Sequence, residues 1–283
     1  MNRINVGDDA HIVPLSNKVK ERGAVLDFKK ESELFNQAAD YYDKFRPSYP
    51  EEIIDALIQH AHLTGGSRLL EIGAGSGKAT ELLMNHGFEM LCIDPGKDLV
   101  AIGNKRFQSE NFKFVAGRFE EYPAEPDSFD AIFSAQAFHW IPQPIGYQKC
   151  AAALKSNGYL ALLWNMYITY DNALDRELLS ISEKHSGFAW FLSEAECEKR
   201  IQTVAGEIND SGLFQPPIVV RTLWKQTYTP DEYYGFVLTG NAFIQKPEAE
   251  RQAAYQDIKQ LAEHHGGTIE RPYLCVLYLA QKR

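Results

Sequence analysis

The residues with chemistry to offer are concentrated in Glu71-Ile72-Gly73-Ala74-Gly75-Ser76-Gly77-Lys78, where an acid closes an apolar run and three alternate glycines follow. Glycines so spaced permit positive φ and let a ligand approach the main chain closely. Three kinds of nucleotide-binding loop compete for such a stretch. A dinucleotide fingerprint requires a third glycine three residues after the second, so that helix and strand pack around a pyrophosphate. Counted from Gly75, that position is Lys78. A Walker A loop requires a glycine separated by four residues from a Gly-Lys pair, and a hydroxyl just after the pair to hold magnesium. Here those positions are Ile72 and Ala79. Both phosphate readings lack a residue on which their chemistry depends.

A second acid completes the pattern. Met90-Leu91-Cys92-Ile93 reads as a buried strand, and Asp94 ends it 21 residues after Gly73. A carboxylate there can accept hydrogen bonds from both vicinal hydroxyls of a ribose. The plainer alternative is that Asp94 only caps a helix beginning near Pro95.

The elements that must position these residues follow from apolar periodicity. Leu69, Leu70 and Ile72 suit a strand buried on both faces of a parallel sheet. From Ser67 onward, short apolar runs alternate with helical stretches, the mark of a doubly wound α/β sheet. Strands are expected near 68–72, 89–93, 112–115, 129–134 and 158–164, and helices near 77–86, 97–107 and 144–155, with Gly87 and Gly158 near helix ends. After Trp164 the rhythm stops. Helices at 171–185 and 193–209 precede a strand at 218–228, helices at 230–239 and 247–265 follow, and a buried strand at 273–280 is the seventh. Ahead of the sheet, a helix is expected at 32–45, with Leu34, Ala38, Tyr41, Tyr42 and Phe45 on one face. Arg46-Pro47-Ser48-Tyr49-Pro50 interrupts it, and a second helix runs over 51–62. Residues 1–30 have no clear period and read as an arm or a lid.

Composition narrows the function classes. Hydrophobic residues make up 45% and charged residues 24% of the 283-residue chain, which disfavours disorder and membrane spanning. No apolar run approaches the roughly 20 residues of a spanning helix. A net charge of −9 without a long basic run weighs against a nucleic-acid partner. Residues 1–30 contain no apolar secretory core, so a cytoplasmic location is expected. The four cysteines form no close pair, and Cys92 and Cys275 sit in strand-like runs, which disfavours a disulfide framework or structural zinc.

The acid, the Gly-x-Gly-x-Gly loop and Asp94 together resemble the first motifs of the class I S-adenosylmethionine-dependent methyltransferases. That resemblance implies a Rossmann-like, seven-stranded, mostly parallel sheet with helices on both faces, its last strand antiparallel between the fifth and sixth. It also implies three regions: an N-terminal arm and helical lid (1–62), a cofactor-binding core (63–166), and a helical cap with strands completing the sheet (167–283). The cofactor would be S-adenosyl-L-methionine. Carried over residue by residue, its site would involve Glu71, Gly73, Ala74, Gly75, Gly77, Asp94 and Pro95, with the backbone of Phe119 donating to the adenine. Arg118 stands where the family often has an aspartate; it cannot accept a hydrogen bond, so it either stacks on the adenine or is a surface arginine. Backbone carbonyls at Ser134 and Ala135 and the side chain of Gln136 would meet the methionine moiety. Tyr42 and Arg46 would close over the cofactor, with Arg46 clamping a carboxylate of cofactor or substrate.

The Phe138-His139-Trp140 run and the 42–50 stretch further resemble small-molecule methyltransferases of the trans-aconitate type. His139 is the catalytic candidate, either taking a proton from a substrate hydroxyl or orienting a carboxylate, with a structural role as the alternative. Trp140, Trp164, Asn165 and Tyr233 are the candidate substrate residues. The expected activity is methyl transfer to a carboxylate or hydroxyl oxygen of a small molecule, by a monomer or homodimer without a nucleic-acid or membrane partner. A nucleic-acid methyltransferase, a nicotinamide oxidoreductase and a non-catalytic cofactor-binding protein are the rivals.

Overall fold

The computed structural model describes residues 39–185, 187–189 and 191–283. Within them the apolar runs pair as seven strands: β1 (Arg68–Ile72), β2 (Glu89–Asp94), β3 (Phe112–Ala116), β4 (Phe129–Ala135), β5 (Leu154–Tyr167), β6 (Ile218–Tyr228) and β7 (Ile269–Gln281). Their order is β3-β2-β1-β4-β5-β7-β6. β1 to β5 pair in parallel. β7 runs antiparallel to both β5 and β6, so the last strand lies between the fifth and sixth. Strand order reverses between β1 and β4, which leaves a crevice beyond their carboxyl ends.

Side chains alternate across each strand and divide the core into two layers. Leu70, Ile72, Ile93, Ile132, Leu160 and Leu162 belong to one apolar cluster. Leu69, Met90, Cys92, Ala131, Phe133, Ala161 and Leu163 belong to the other. Burying a Leu or Ile side chain fully is worth roughly 1.5–3 kcal/mol, so a one-residue slip in register would reverse much stabilisation on both faces.

The helices are α1 (Ala39–Phe45), α2 (Glu51–His60), α3 (Thr80–Leu83), α4 (Lys97–Arg106), α5 (Ile145–Ala153), α6 (Ala173–Lys184), α7 (Glu194–Asp210), α8 (Pro230–Val237), α9 (Asn241–Ile244) and α10 (Glu248–His264). Leu178 of α6, Tyr233 and Val237 of α8, and Ile258 and Leu261 of α10 form a third cluster with Tyr228, Ile269 and Tyr273. This is the cap. No helix among the described residues is long and apolar enough to cross a membrane.

Several expected boundaries move, each for a local reason. The helix expected at 77–86 shrinks to α3, because Gly77 has φ +91° and the residues after Leu83 close in tighter turns, with His86 N–H donating to Leu83 O. Gly158 lies inside β5 rather than at a helix end, since α5 stops at Ala153 and Leu154 already pairs with Phe129. β7 begins at Ile269 because Ile269 pairs with Tyr228 and extends the ladder past Pro272. α2 ends at His60, and α9 has no counterpart in the periodicity. Of the helix expected at 32–45, residues 32–38 lie outside the described residues, as does the 1–30 arm.

One buried asparagine joins four separate segments. Asn165, on β5 and 2% exposed, donates from Nδ2 to Ser48 O (2.9 Å) and accepts from Trp224 Nε1 on β6 (3.0 Å). Its backbone N–H donates to Gln136 Oε1 (2.9 Å), and Gln136 Nε2 donates to Asn165 O (3.3 Å). The segment between α1 and α2 is thereby fastened to the sheet. Asn165→Ala strands the Ser48 carbonyl and the Trp224 N–H, and each lost buried partner costs about 1–3 kcal/mol. The expected result is a denaturation midpoint lowered by a corresponding amount, with unchanged slope, in a urea titration followed by circular dichroism.

Candidate functional site

The cleft at the switch point is lined by the ends of β1 to β4 and by the turn that precedes α2. Asp94 forms its floor. Asp94 Oδ2 accepts from the backbone N–H of Gly75 (2.9 Å) and Oδ1 from that of Gly96 (2.7 Å), so one carboxylate holds the loops after β1 and β2 together. Burial pushes its pKa up to about 6, against the two backbone N–H donors that favour the charged form.

The loop after β1 needs its glycines for two different reasons. Gly73 has φ +70°, and a Cβ there would stand 2.2 Å from the Ala137 Cβ, so the loops after β1 and β4 are in direct contact. At Gly77, also at positive φ, a Cβ would lie 2.3 Å from the ring of Phe107 behind the loop. Gly77 therefore serves packing and does not line the cleft.

Of the residues singled out from the sequence, Tyr42, Arg46, Gly73, Gly75, Asp94, Pro95, Arg118, Phe119, Gln136, His139 and Trp140 come together around this cleft. The others stand behind or beside it. Glu71 is buried and accepts from Thr80 Oγ1 (2.5 Å); burial pushes its pKa up to about 8, and it braces the start of α3. Ala74 is buried beneath the loop. Ser134 and Ala135 remain inside β4, which extends one residue further than expected, and Ser134 Oγ donates to Ile72 O (2.8 Å). Trp164 is core, packed edge-on against Tyr278. Asn165 has both ends of its amide engaged by protein partners, and Tyr233 is buried in the cap.

Gln136 holds φ +58°, a conformation uncommon for a residue with a side chain, and its reciprocal bonds to the Asn165 backbone sustain it. That amide is thus occupied by the scaffold. Arg118 is also tethered, its Nε donating to Glu120 Oε1 (2.7 Å). His139 lies on a 3₁₀ turn, Phe138–Trp140, and Trp164 Nε1 donates to its Nδ1 (3.4 Å).

The roof comes from α1 and the turn after it. Tyr42 Cε1 lies 3.7 Å from where a Gly75 Cβ would be, so the ring sits over the loop. The Arg46 guanidinium lies 5.2 Å from the Tyr42 ring centre and donates to Tyr167 Oη (3.1 Å) and Thr239 O (3.4 Å). Arg106 on α4 contacts both carboxylate oxygens of Asp43 at 2.7 Å and donates to Ser76 O (3.2 Å), which fixes α1 to the glycine loop. Sequence reasoning missed this clamp, and it missed Glu120, Leu99 and Ile141 as lining residues. Glu120 had one available signal: it is an acid two residues beyond a position where an acceptor is expected.

These groups fit an adenosyl amino acid. Each Asp94 oxygen has a further lone pair for a ribose hydroxyl, Leu99 and Phe119 offer apolar surface to a base, and Arg46 brings a positive charge to the same cleft.

Comparison with known proteins agrees with that fit. Residues 70–162 match the model of a methyltransferase domain. The chain is 34% identical over 131 residues to uncharacterized methyltransferases of Mycobacterium bovis and Mycobacterium tuberculosis, covering 46% of this chain and 51% of each relative. The match thus spans about half the length of these curated relatives. A solved structure described as a putative type II methyltransferase from Anaeromyxobacter dehalogenans has the same fold, with TM-score 0.58 at 19% identity over 84% of this chain and 97% of that one. So does an S-adenosylmethionine-dependent methyltransferase from Thiobacillus denitrificans in complex with S-adenosylhomocysteine, with TM-score 0.53 at 15% identity over 88% and 98% of the two chains. The glycine loop, Asp94 and the strand order are thus all in place in a chain whose residues 70–162 match a methyltransferase domain and whose fold is that of class I S-adenosylmethionine-dependent methyltransferases.

Proposed function

We propose that this protein transfers a methyl group from S-adenosylmethionine to an oxygen of a small organic acceptor, with a carboxylate favoured over a hydroxyl. The observation that carries the reading is the roofed cleft itself, in which Asp94 is held by two loops, Tyr42 lies over the glycine loop, and Arg46, His139 and Trp140 line the same space. In this reading, residues 1–62 and 167–283 supply lid and cap to a core at 63–166. The two stretches that resemble trans-aconitate-type enzymes both contribute lining residues, which supports that subset. The net charge of −9 supports a small acceptor over a nucleic acid.

When bound, the cofactor supplies a sulfonium methyl already activated for displacement. The chain's own task is then orientation, which can contribute on the order of 7–11 kcal/mol when reacting atoms are held near 3 Å. Asp94 anchors the ribose end, Tyr42 and Arg46 exclude water, and Trp140 walls the acceptor side. His139 has a definite part in this scheme. Trp164 Nε1 can only donate, so His139 Nδ1 accepts and the neutral ring carries its proton on Nε2. In that tautomer His139 donates to an acceptor oxygen, as a carboxylate requires, and is poorly arranged to take a proton from a hydroxyl.

Two predictions follow from these assignments. Ribose hydroxyls donate to the ionised form of Asp94, so protonation weakens binding. With a pKa of about 6, ionisation falls roughly tenfold between pH 7 and pH 5. Calorimetry with S-adenosylhomocysteine should show a matching loss of affinity over that range, and Asp94→Asn should bind weakly at both pH values. A wild type that is folded yet binds no S-adenosylhomocysteine sinks the methyltransferase reading. His139→Ala should slow transfer to a carboxylate acceptor by about tenfold or less, mostly through KM, whereas loss of general-base catalysis would cost about 10²–10⁴ in kcat. A thousandfold fall in kcat on a carboxylate would overturn the donor role.

A further inference from the structure

Arg46 lines two cavities, the cofactor cleft and a smaller one beneath the cap. The second is walled by Phe188, Phe191, Tyr233 and Phe236, and Arg271 of β7 reaches it from the sheet. Two guanidinium groups thus line a largely aromatic space. Arg271 is 2% exposed, its guanidinium carbon 3.8 Å from the Phe191 ring centre. Its Nη1 pairs with Asp175 of α6, while its Nη2 is buried with no hydrogen-bond partner among the described residues. Asp175 is held in turn by the Thr169 hydroxyl (2.7 Å) and the Asn172 amide (3.3 Å). Arg46 donates only to a phenol and a backbone carbonyl; its Nε is buried without a partner, and no carboxylate pairs with it among the described residues.

Among the described residues the charge count is therefore uneven: two guanidinium groups and one carboxylate around a largely apolar space. A cation withdrawn from water is costly unless an anion meets it, and arginine forks match a carboxylate's two oxygens. A carboxylate accepting from both arginines would satisfy the charge and the two buried N–H groups together. We propose that this cavity holds an anionic anchor on the methyl acceptor, separate from the oxygen that receives the methyl group. The cavity, about 30 Å³, has room for little beyond a carboxylate, so the substrate class is an organic acid whose carboxylate tip sits between Arg46 and Arg271 and whose stem and second oxygen function extend past Arg46 into the cofactor cleft. This inference rests on the methyltransferase reading, since the same carboxylate chemistry could instead belong to the cofactor's amino-acid end.

Calorimetry separates these possibilities. Binding of S-adenosylhomocysteine to the wild type is measured first and reports on the methyltransferase reading alone. Benzoate and hexanoate, each beside its own uncharged amide, are then titrated into protein saturated with S-adenosylhomocysteine. At least one carboxylate should bind tenfold or more tightly than its amide. Ala189→Leu, which narrows the cavity without removing a charge, and Arg271→Lys, which retains a cation for Asp175, should each abolish that preference while leaving S-adenosylhomocysteine affinity within about threefold. Circular dichroism checks that both variants fold, and Ala189→Leu decides alone if Arg271→Lys does not. The proposal is overturned if neither carboxylate outbinds its amide in the saturated protein. It is equally overturned if a preference seen in the free protein disappears on saturation, which assigns the arginines to the cofactor, or if it survives Ala189→Leu.

Discussion

A single buried carboxylate sets the shape of the cofactor end. Asp94 stands at the end of β2, and its two oxygens take N–H groups from loops that belong to different strands. That geometry works only if the backbone at Gly75 can approach, which in turn requires the sharp turn at Gly73 against Ala137. The loops after β1, β2 and β4 are consequently one mutually dependent unit. Withdrawing Asp94 from water raises its pKa, and the two backbone donors resist that rise and keep the group titrating near neutrality.

The roof is held by a different kind of constraint. α1 and the segment joining it to α2 pair with no strand among the described residues, so polar side chains fasten them. Asn165 reaches Ser48 from β5, Arg106 reaches Asp43 from α4, and Arg46 reaches Tyr167 and the cap carbonyl of Thr239. Gln136 and Asn165 add a reciprocal amide-to-backbone pair that places His139 and Trp140 three and four residues after the left-handed Gln136. Such networks are worth having only when nearly complete, because a half-satisfied polar group in a dry interior is a liability.

Arg46 belongs to both the roof and the cap, and this links the invariant demands of a cofactor to the variable demands of an acceptor. Its aromatic neighbours Tyr42 and Phe236 lie on the cofactor and cap sides respectively. The cap has its own apolar cluster, and its buried Arg271–Asp175 pair ties β7 to α6 across it. A buried ion pair of this sort is weak evidence for stability, but it fixes where a cation sits relative to the cavity it lines.

Much of this organisation was legible in the chain of residues. The short apolar runs alternating with helical stretches, the alternate glycines and an acid 21 residues beyond Gly73 were enough to state a doubly wound sheet and its glycine loop, because those signals are local and each residue type is required by backbone geometry or by hydrogen-bonding capacity; the seven-strand arrangement came with the family resemblance those residues carry. Other assignments depended on distances that no spacing encodes. Glu71 and Gly77 belong to the recognisable loop yet turn away from the cleft, since Thr80 and the Phe107 ring claim them in three dimensions. Gln136 and Asn165 engage each other across two strands, and Arg106 finds Asp43 from 63 positions away. The meeting of Arg46 with Arg271 around one cavity is likewise a product of β7 folding back between β5 and β6. Sequence by itself determined the fold class and the resemblance of the glycine loop and Asp94 to a cofactor site, which rest on short-range pattern. Tertiary structure alone decided which polar groups have partners and which face the cavities, because that depends on long-range packing.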